Sequence, residues 1–501
     1  MRPQDGRGPP RPGCQRIDST RLEVLTEEGS LGEVAADLAA FALHEGQELP
    51  GDLVEAGGAA DARPAFRRLA LLHPPGGGRA IAAGAGSRDE IDAERLRVLA
   101  ALVAHEAGRL GAESVAWAVP DSLPREEAAE AIVTGTVLAD YRFDRFLTNG
   151  EEDRPSRLGR LVLADAGGLG PAAGRARVAA EAQNRARELQ NLPANVATPS
   201  FLAERAEEIA SEHGSVSAEI LGPAEIAALG MGGIEAVSRG SAEEPRLIVL
   251  RHQGPGTGRP PLGLVGKGVT FDTGGISIKP GPGMHEMKMD MSGAAAVLES
   301  VAALAELEVP LDVIAVVPAT ENMPSGSATR PGDIITQYSG KTVEVNNTDA
   351  EGRLILADAL AYCVELGADP VVDLATLTGA VTVALGSTYA ALISNDDALA
   401  AEVERAAGST GELAWRMPLH PEYKDLTRGK LADLANVAPK RKAGTLYAAS
   451  FLEEFVAGRP WAHLDIAGVS WDVGREYVGD GATGYGVRLL VDLARRLQTG
   501  A

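Results

Sequence analysis

Val343-Glu344-Val345-Asn346-Asn347-Thr348-Asp349-Ala350-Glu351-Gly352-Arg353-Leu354 contains a strand ending, a turn and a helix start. Val343 and Val345 flank a polar residue, the alternation of a half-buried strand. Asn346 to Gly352 crowds amides, two carboxylates and a glycine into a turn. From Arg353 the run RLILADALAYCVEL has apolar residues at helical spacing and neither Pro nor Gly. Asp349, Glu351 and Arg353 thus sit on a strand–loop–helix junction, where rigid elements aim short side chains at one point. Acidic residues before a helix also complement its macrodipole, so the stretch read alone fits a helix cap as well as a site.

Outward from this junction, strand-like and helical segments alternate. Strands are expected near 246–252, 262–271, 311–319, 371–377 and 389–394, and helices near 292–307, 353–366 and 447–456. Thr198-Pro199 has the form of an N-cap followed by Pro in the first turn. Upstream, RLEVLTEE, RLALLHPP, SVAWAVPDS and RLGRLVLADA read as strands, with helical periodicity through Glu94–Ala112 and Glu126–Phe146. The glycines of DAGGLGPAAG (165–174) mark a boundary, and a polar-rich helix from about Arg175 to Leu192 follows. The fold class is α/β in two domains. An N-terminal α/β domain (21–165) is joined by a linker and bridging helix (166–195) to a larger α/β domain (196–501), whose mixed, largely parallel central sheet is flanked by helices. Residues 1–20, rich in Pro, Gly and Arg without an apolar core, read as a disordered tail and not a signal peptide.

Composition limits the function. The 501 residues are 45% hydrophobic and 23% charged, an ordinary globular balance. The net charge of −23 disfavours nucleic acid as the main partner, because phosphate binding wants a basic face. Two cysteines, Cys14 and Cys363, make neither a disulfide framework nor a thiolate metal site and fit a reducing compartment. Apolar runs are short or broken by charge, so no membrane span is expected. A cytoplasmic protein is the reading.

A second constellation lies at 263–298, GLVGKGVTFDTGGISIKPGPGMHEMKMDMSGAAAVL. A strand-like run carries Lys267 and ends at Asp272, Lys279 follows a tight glycine turn, and Asp290 stands before a helix start. Phosphate cradling fails as an account, since Gly266-Lys267-Gly268 lacks the following Ser/Thr and no GxGxxG opens a helix. Asp272, Asp290, Asp349 and Glu351 are then four carboxylates at strand ends or helix starts of one expected sheet. Converging in a cleft, they would repel unless cations sat among them. Two divalent ions cancel the formal −4, and bridging carboxylates suit a two-metal site. Without HExxH a mononuclear His-ligated zinc protease is disfavoured. Lys267 can serve as ligand only when neutral; the competing account is four solvated acids with Lys267 pairing one. The methionines at 284, 287, 289 and 291 read as packing around a strand end.

GKGVTFDTGGISIKP, MKMDMSGAA, NTDAEGRL and DLATLTGA closely resemble, in this order, the signatures of the leucyl aminopeptidase family, two-zinc cytosolic aminopeptidases. The similarity covers roughly 175–501, including WAHLDIAGVSW and GATGYGVRLL. It implies that Asp272 and Glu351 bridge two divalent ions, zinc or manganese with magnesium admissible in the exchangeable site. Lys267 and Asp290 would complete the tighter site, and Asp349, by side chain and carbonyl, the exchangeable one. Arg353 resembles the arginine that holds a bicarbonate as general base, and Lys279 the lysine that polarises the scissile carbonyl. Met287, Asn347, Thr376, Leu377, Gly379 and Ala467 match positions lining the pocket for the first side chain. The implied activity removes N-terminal neutral, Leu-like residues from short peptides with a free amine, within a homo-hexamer. Another two-metal hydrolase and a DNA-binding regulatory role are the alternatives. An apolar pocket fits a phosphate ester poorly, and the negative charge opposes the second.

Overall fold

The computed structural model describes residues 22–148, 155–255, 258–438, 440 and 442–499. The expected N-terminal tail lies outside them. Two α/β units are built around separate sheets. In the first, Glu23–Thr26, Arg160–Ala164, Ser114–Ala118, Leu38–His44, Ala80–Gly86 and Leu69–Leu72 are neighbours in that order, parallel except for the last pair. Leu38–His44 and Ala80–Gly86 carry no strand signal of their own, because LAAFALH and AIAAGAG lack β-branched alternation. They are nevertheless almost wholly buried, and packing decides their state. The helix expected over Glu126–Phe146 spans only Arg125–Ala139. It stops where the Asp140 carboxylate turns to accept the Leu158 N–H at 2.9 Å.

The larger sheet runs Ala414–Arg416, Ala390–Ser394, Trp461–Asp465, Val371–Ala375, Leu262–Gly266, Val313–Asn322, Arg246–His252, Val216–Leu221, with Gly268–Asp272 also paired to Val313–Asn322. Its centre is parallel and three pairings are antiparallel, so the sheet is mixed and largely parallel. Alternate residues of Val313–Asn322 face opposite layers. Val313, Ala315 and Val317 join a core with helices Gly170–Asn191, Pro199–Glu212, Ser292–Glu306 and Val487–Thr499. Ile314 and Val316 join another with Gly232–Ser238, Gly352–Glu365 and Gly444–Glu453. Helix Ser292–Glu306 is buried on nearly every side, and its small residues let it sit tight on the sheet. A Cβ at Gly293 would stand 2.1 Å from the Leu374 carbonyl oxygen.

One expectation is corrected by this topology. The strand before the 346–352 turn, Thr342–Val345, does not belong to the central sheet. It is the middle of a separate three-stranded sheet with Asp333–Thr336 and Leu434–Ala435. Asp272 therefore ends a strand of the central sheet, Asp290 lies in a 3₁₀ helix, and Asp349 and Glu351 follow the small sheet, a placement that local pattern cannot carry because pairing partners lie far apart in sequence. The methionine run is likewise no strand end; Met284–Met291 forms a 3₁₀ helix leading into Ser292.

Helix Gly170–Asn191 lies between the two units, which explains polar residues in a buried helix. Asn184 Nδ2 donates to the Val137 carbonyl (2.8 Å) and Arg187 Nη1 to that of Leu138 (2.8 Å). Gln183 Nε2 donates to Thr483 O (2.7 Å) and Arg187 Nε to Ala482 O (3.1 Å). Carbonyls of both units are thus satisfied by one helix. Among the described residues no helix is long and apolar enough to cross a membrane.

Candidate active site

Strand Val313–Asn322 is paired by Leu262–Gly266 along its first half and by Gly268–Asp272 along its second. Lys267 sits at the break. Its N–H donates to Leu374 O (3.0 Å) and its carbonyl accepts from Ala294 (2.9 Å), so the backbone is fixed. Lys267 Nζ donates to Asp290 Oδ1 (2.8 Å) and to the Thr376 carbonyl (3.0 Å), and lies 2.9 Å from Glu351 Oε1. A Cβ at position 352 would stand 2.6 Å from Lys267 Cε and 2.8 Å from Nζ. Only glycine between Glu351 and Arg353 leaves the amine its place.

Asp272 ends its strand directly beside Asn322 in register. Its Oδ1 accepts from the Gly274 N–H and from Asn322 Nδ2, both at 2.8 Å, and its Oδ2 lies 2.7 Å from Lys279 Nζ. Lys279 Nζ also donates to Asp349 Oδ1, and the Asp349 N–H is held by Asn347 Oδ1 at 3.0 Å. Asp290 Oδ1 receives the Thr376 hydroxyl at 2.6 Å. Asp272, Asp290 and Glu351 each place a carboxylate oxygen within 4.8 Å of the others, and all three are buried.

Four carboxylates against two ammonium groups leave this cluster a formal charge of −2. Burial pushes Asp290 up to about 8; Lys267 opposes this, and the negative Asp272 and Glu351 add to it. Asp272 is raised by burial and by Glu351. Burial opposes the charge on both lysines, yet the surrounding carboxylates outweigh it and hold Lys267 and Lys279 above their ordinary range. A buried site with surplus negative charge and oxygen donors from separate elements fits divalent cations.

Arg353 is buried beside this cluster. Its Nη1 donates to the Asn436 carbonyl (2.7 Å), its guanidinium stands 5.8 Å from the Tyr447 ring centroid, and its Nε has no hydrogen-bond partner. Burial lowers its pKa, and Tyr447, Glu351, Asp465 and Asp349 counter that. A buried, unmatched guanidinium N–H fits a small anion.

The expected pocket positions fall in four places. Met287 lies in the 3₁₀ helix and Asn347 in the 346–352 turn. Thr376, Leu377 and Gly379 follow strand Val371–Ala375, and Ala467 follows Trp461–Asp465. Asp465 ties the last two groups together. Its Oδ1 accepts N–H bonds from Leu377 (3.1 Å), Thr378 (3.3 Å) and Ala467 (3.3 Å), and its Oδ2 accepts the Thr378 hydroxyl (2.6 Å). Sequence reasoning assigned nothing to Asp465 or to Asn322. Asn322 Nδ2 bonds Asp272, the Thr348 carbonyl (3.0 Å) and Glu351 Oε2 (3.4 Å), linking both ligand-bearing segments. Its one signal was a polar residue ending an apolar strand, at the edge where open α/β sheets place working residues.

Known proteins resemble this arrangement over nearly the whole chain. Residues 184–491 match the catalytic-domain model of the cytosol aminopeptidase family, and residues 34–150 match its N-terminal domain. A probable cytosol aminopeptidase of Syntrophotalea carbinolica is 46% identical over 486 residues, covering 95% of this chain and 94% of the relative. One from Roseiflexus castenholzii is 44% identical, covering 95% and 99%. Among solved structures, the bottromycin maturation enzyme BotP in complex with Mn superposes with a TM-score of 0.85 at 36% identity, covering 93% of this chain and all of that one. With its buried carboxylate cluster and these matches, the chain belongs to the cytosol (leucyl) aminopeptidase family and is a metal-dependent exopeptidase acting on peptides.

Proposed function

We propose that this enzyme removes neutral, Leu-like N-terminal residues from short peptides with a free amine, using two divalent ions. The observation that carries the reading is the interleaving of Lys267 and Lys279 among Asp272, Asp290, Asp349 and Glu351. Asp272 and Glu351 are assigned as bridging ligands, Lys267 with Asp290 to the tighter site, and Asp349 to the exchangeable one. When bound, the ions (zinc or manganese, with magnesium admissible in the exchangeable site) supply Lewis acidity and a nucleophilic water near neutral pH.

The chain's own residues do the rest. Lys267 must shed its proton to become a ligand, and cations replacing that proton lower its pKa. Lys279 is then released from Asp272 and Asp349. Its ammonium faces the scissile carbonyl oxygen and stabilises the charge that develops there. Arg353 holds bicarbonate as general base, a role supported by its unmatched Nε–H. Met287, Asn347, Thr376, Leu377, Gly379 and Ala467 form the pocket for the first side chain. Apolar pockets discriminate by only about 1–3 kcal/mol per methylene, so broad specificity for neutral residues follows. We take the N-terminal unit as 21–165, the linker and bridging helix as 166–195 and the catalytic unit as 196–501. A cytoplasmic homo-hexamer completes the reading.

Hydrolysis of leucine p-nitroanilide before and after chelation, with Zn²⁺ or Mn²⁺ restored, tests it. Activity lost with chelator, regained with metal and absent on N-acetyl-leucine anilide is expected. No turnover of any free-amine substrate by protein carrying two ions would sink the proposal.

A further inference from the structure

Asn436 follows the short strand Leu434–Ala435, which pairs in parallel with Thr342–Val345 through Val343↔Leu434 and Glu344↔Ala435. It is fully buried, and every polar group it owns is spent on the 344–353 segment. Its N–H donates to the Glu344 carbonyl (2.9 Å). Its Oδ1 accepts the N–H groups of Asn346 (2.8 Å) and Asn347 (3.2 Å), and its Nδ2 donates to the Asn347 carbonyl (2.6 Å). Its own carbonyl takes the Arg353 guanidinium at 2.7 Å. Thr342–Val345 has ended by Asn346, so no ladder serves those backbone groups, and one side chain replaces it.

The coupling is returned from the other side. Glu344 Oε1 accepts the N–H groups of Lys430, Leu431 and Ala432, and the Tyr447 hydroxyl donates to the Ala435 carbonyl. Glu344 and Asn436 therefore clamp two segments about ninety residues apart into one unit. The contacts are one-sided with respect to the site. Asn436 touches the turn bearing Asn347 and Asp349, and Arg353 beyond it. Asp290 is held instead by Thr376 and Lys267, and the Lys267 amine reaches this segment at Glu351 Oε1 (2.9 Å), a residue Asn436 does not touch.

We infer that Asn436 is a positioning residue that sets the Asp349 and Arg353 half of the active site more directly than the Lys267 and Asp290 half, which meets the same segment at Glu351. The inference rests on the two-ion reading above for what those halves do. It converts a segment remote in sequence, 430–436, into part of the catalytic apparatus.

The test uses the full chain with Asn436→Ala and, in case that variant folds poorly, Glu344→Gln, which loosens the clamp from its other side. Three quantities are read: amide hydrogen exchange over 345–350 in the metal-free protein, the two stepwise Mn²⁺ affinities by chelator competition, and kcat against KM on leucine p-nitroanilide. For Asn436→Ala, exchange over the turn speeds up and kcat falls on the order of 10–100-fold, the usual size of an outer-shell effect, with KM little changed. The weaker Mn²⁺ step loosens on the order of tenfold while the tighter step changes much less. Glu344→Gln shows the same pattern more mildly. Equal loosening of both Mn²⁺ steps, or a lower Tm with unchanged exchange and kcat, overturns the inference. An unsubstituted protein that takes up fewer than two Mn²⁺ ions brings down the two-ion reading instead, and the exchange measurement on the metal-free chain still decides the clamp.

Discussion

Two clusters of buried charge are attached to helix Ser292–Glu306, one at Glu299 within it and one at Asp290 just before it, and they are built to opposite ends. At Glu299 one carboxylate meets two guanidinium groups. Arg185 Nε lies 2.6 Å from Oε2, and Arg205 supplies Nε at 2.7 Å and Nη2 at 3.1 Å. Burial would raise the Glu299 pKa, but Arg205 and Arg185 outweigh it and hold the carboxyl below its ordinary range. At Asp290, before the first turn of the same helix, carboxylates outnumber ammonium groups and the pKa goes up. Equal burial gives opposite electrostatics because the counter-charge is complete in one place and deficient in the other. The first cluster fastens the bridging helix Gly170–Asn191 and helix Pro199–Glu212 to the catalytic core. The second leaves a vacancy in charge that external cations fill.

Breaking the fastened cluster has the largest expected effect on stability. Glu299→Ala leaves the buried Arg185 guanidinium without its counter-ion and Arg205 with only the more exposed Glu208 and Glu212, and costs about 3–5 kcal/mol. Chemical denaturation reads the loss, while kcat per folded molecule stays near that of the unsubstituted chain. A large fall in kcat without a stability loss would erase the distinction between the clusters. Next comes Lys279→Ala in the poised cluster. Its kcat falls on the order of 10²–10³-fold, as for other lost oxyanion partners, and Tm of the metal-free chain falls as well, because removing one ammonium leaves Asp272 and Asp349 less compensated.

The smallest effect sharpens the comparison through pH. Asp290 rises from an ordinary 3.8 to about 8 in the folded, metal-free chain, so between those values the folded state binds more protons than the unfolded one. Its contribution to stability therefore grows as pH falls from about 8 towards 4. Glu299, with its folded pKa lowered below 4.5, contributes stability that is present above the unfolded value and lost as pH falls through the folded one. Denaturation of the metal-free chain across pH 5–8 should show a slope that Asp290→Asn makes shallower, the remainder coming from the raised Asp272. An unchanged slope in that variant would mean that Asp290 is ionised throughout.

Much of the site was legible because its residues are local to strand ends and helix starts. Lys267, Asp272, Lys279, Asp290, Asp349 and Glu351 stand out as charges in glycine-rich or helix-initiating contexts, and the structure joins them as two ion-pair triads linked by Asn322. Arg353 sits near enough to feel Glu351 and Asp349. Asn322, Asp465 and Asn436 were illegible for a shared reason. Each is an ordinary polar residue at the end of a strand, and its value lies in which distant backbone it meets. The alanine-rich strands Leu38–His44 and Ala80–Gly86 escaped because small residues have weak strand preference and owe their state to burial.

Sequence alone determined the α/β class, the charge surplus and the chemistry of the ligands, since periodicity and side-chain identity are local properties. Tertiary structure decided that the Asp349–Arg353 turn hangs from a small separate sheet while Lys267 and Asp272 hang from the central one. It also decided which buried acid is neutralised and which is left needing a cation. Strand pairing and counter-ion placement both depend on residues tens to hundreds of positions apart, and only the folded chain brings those together.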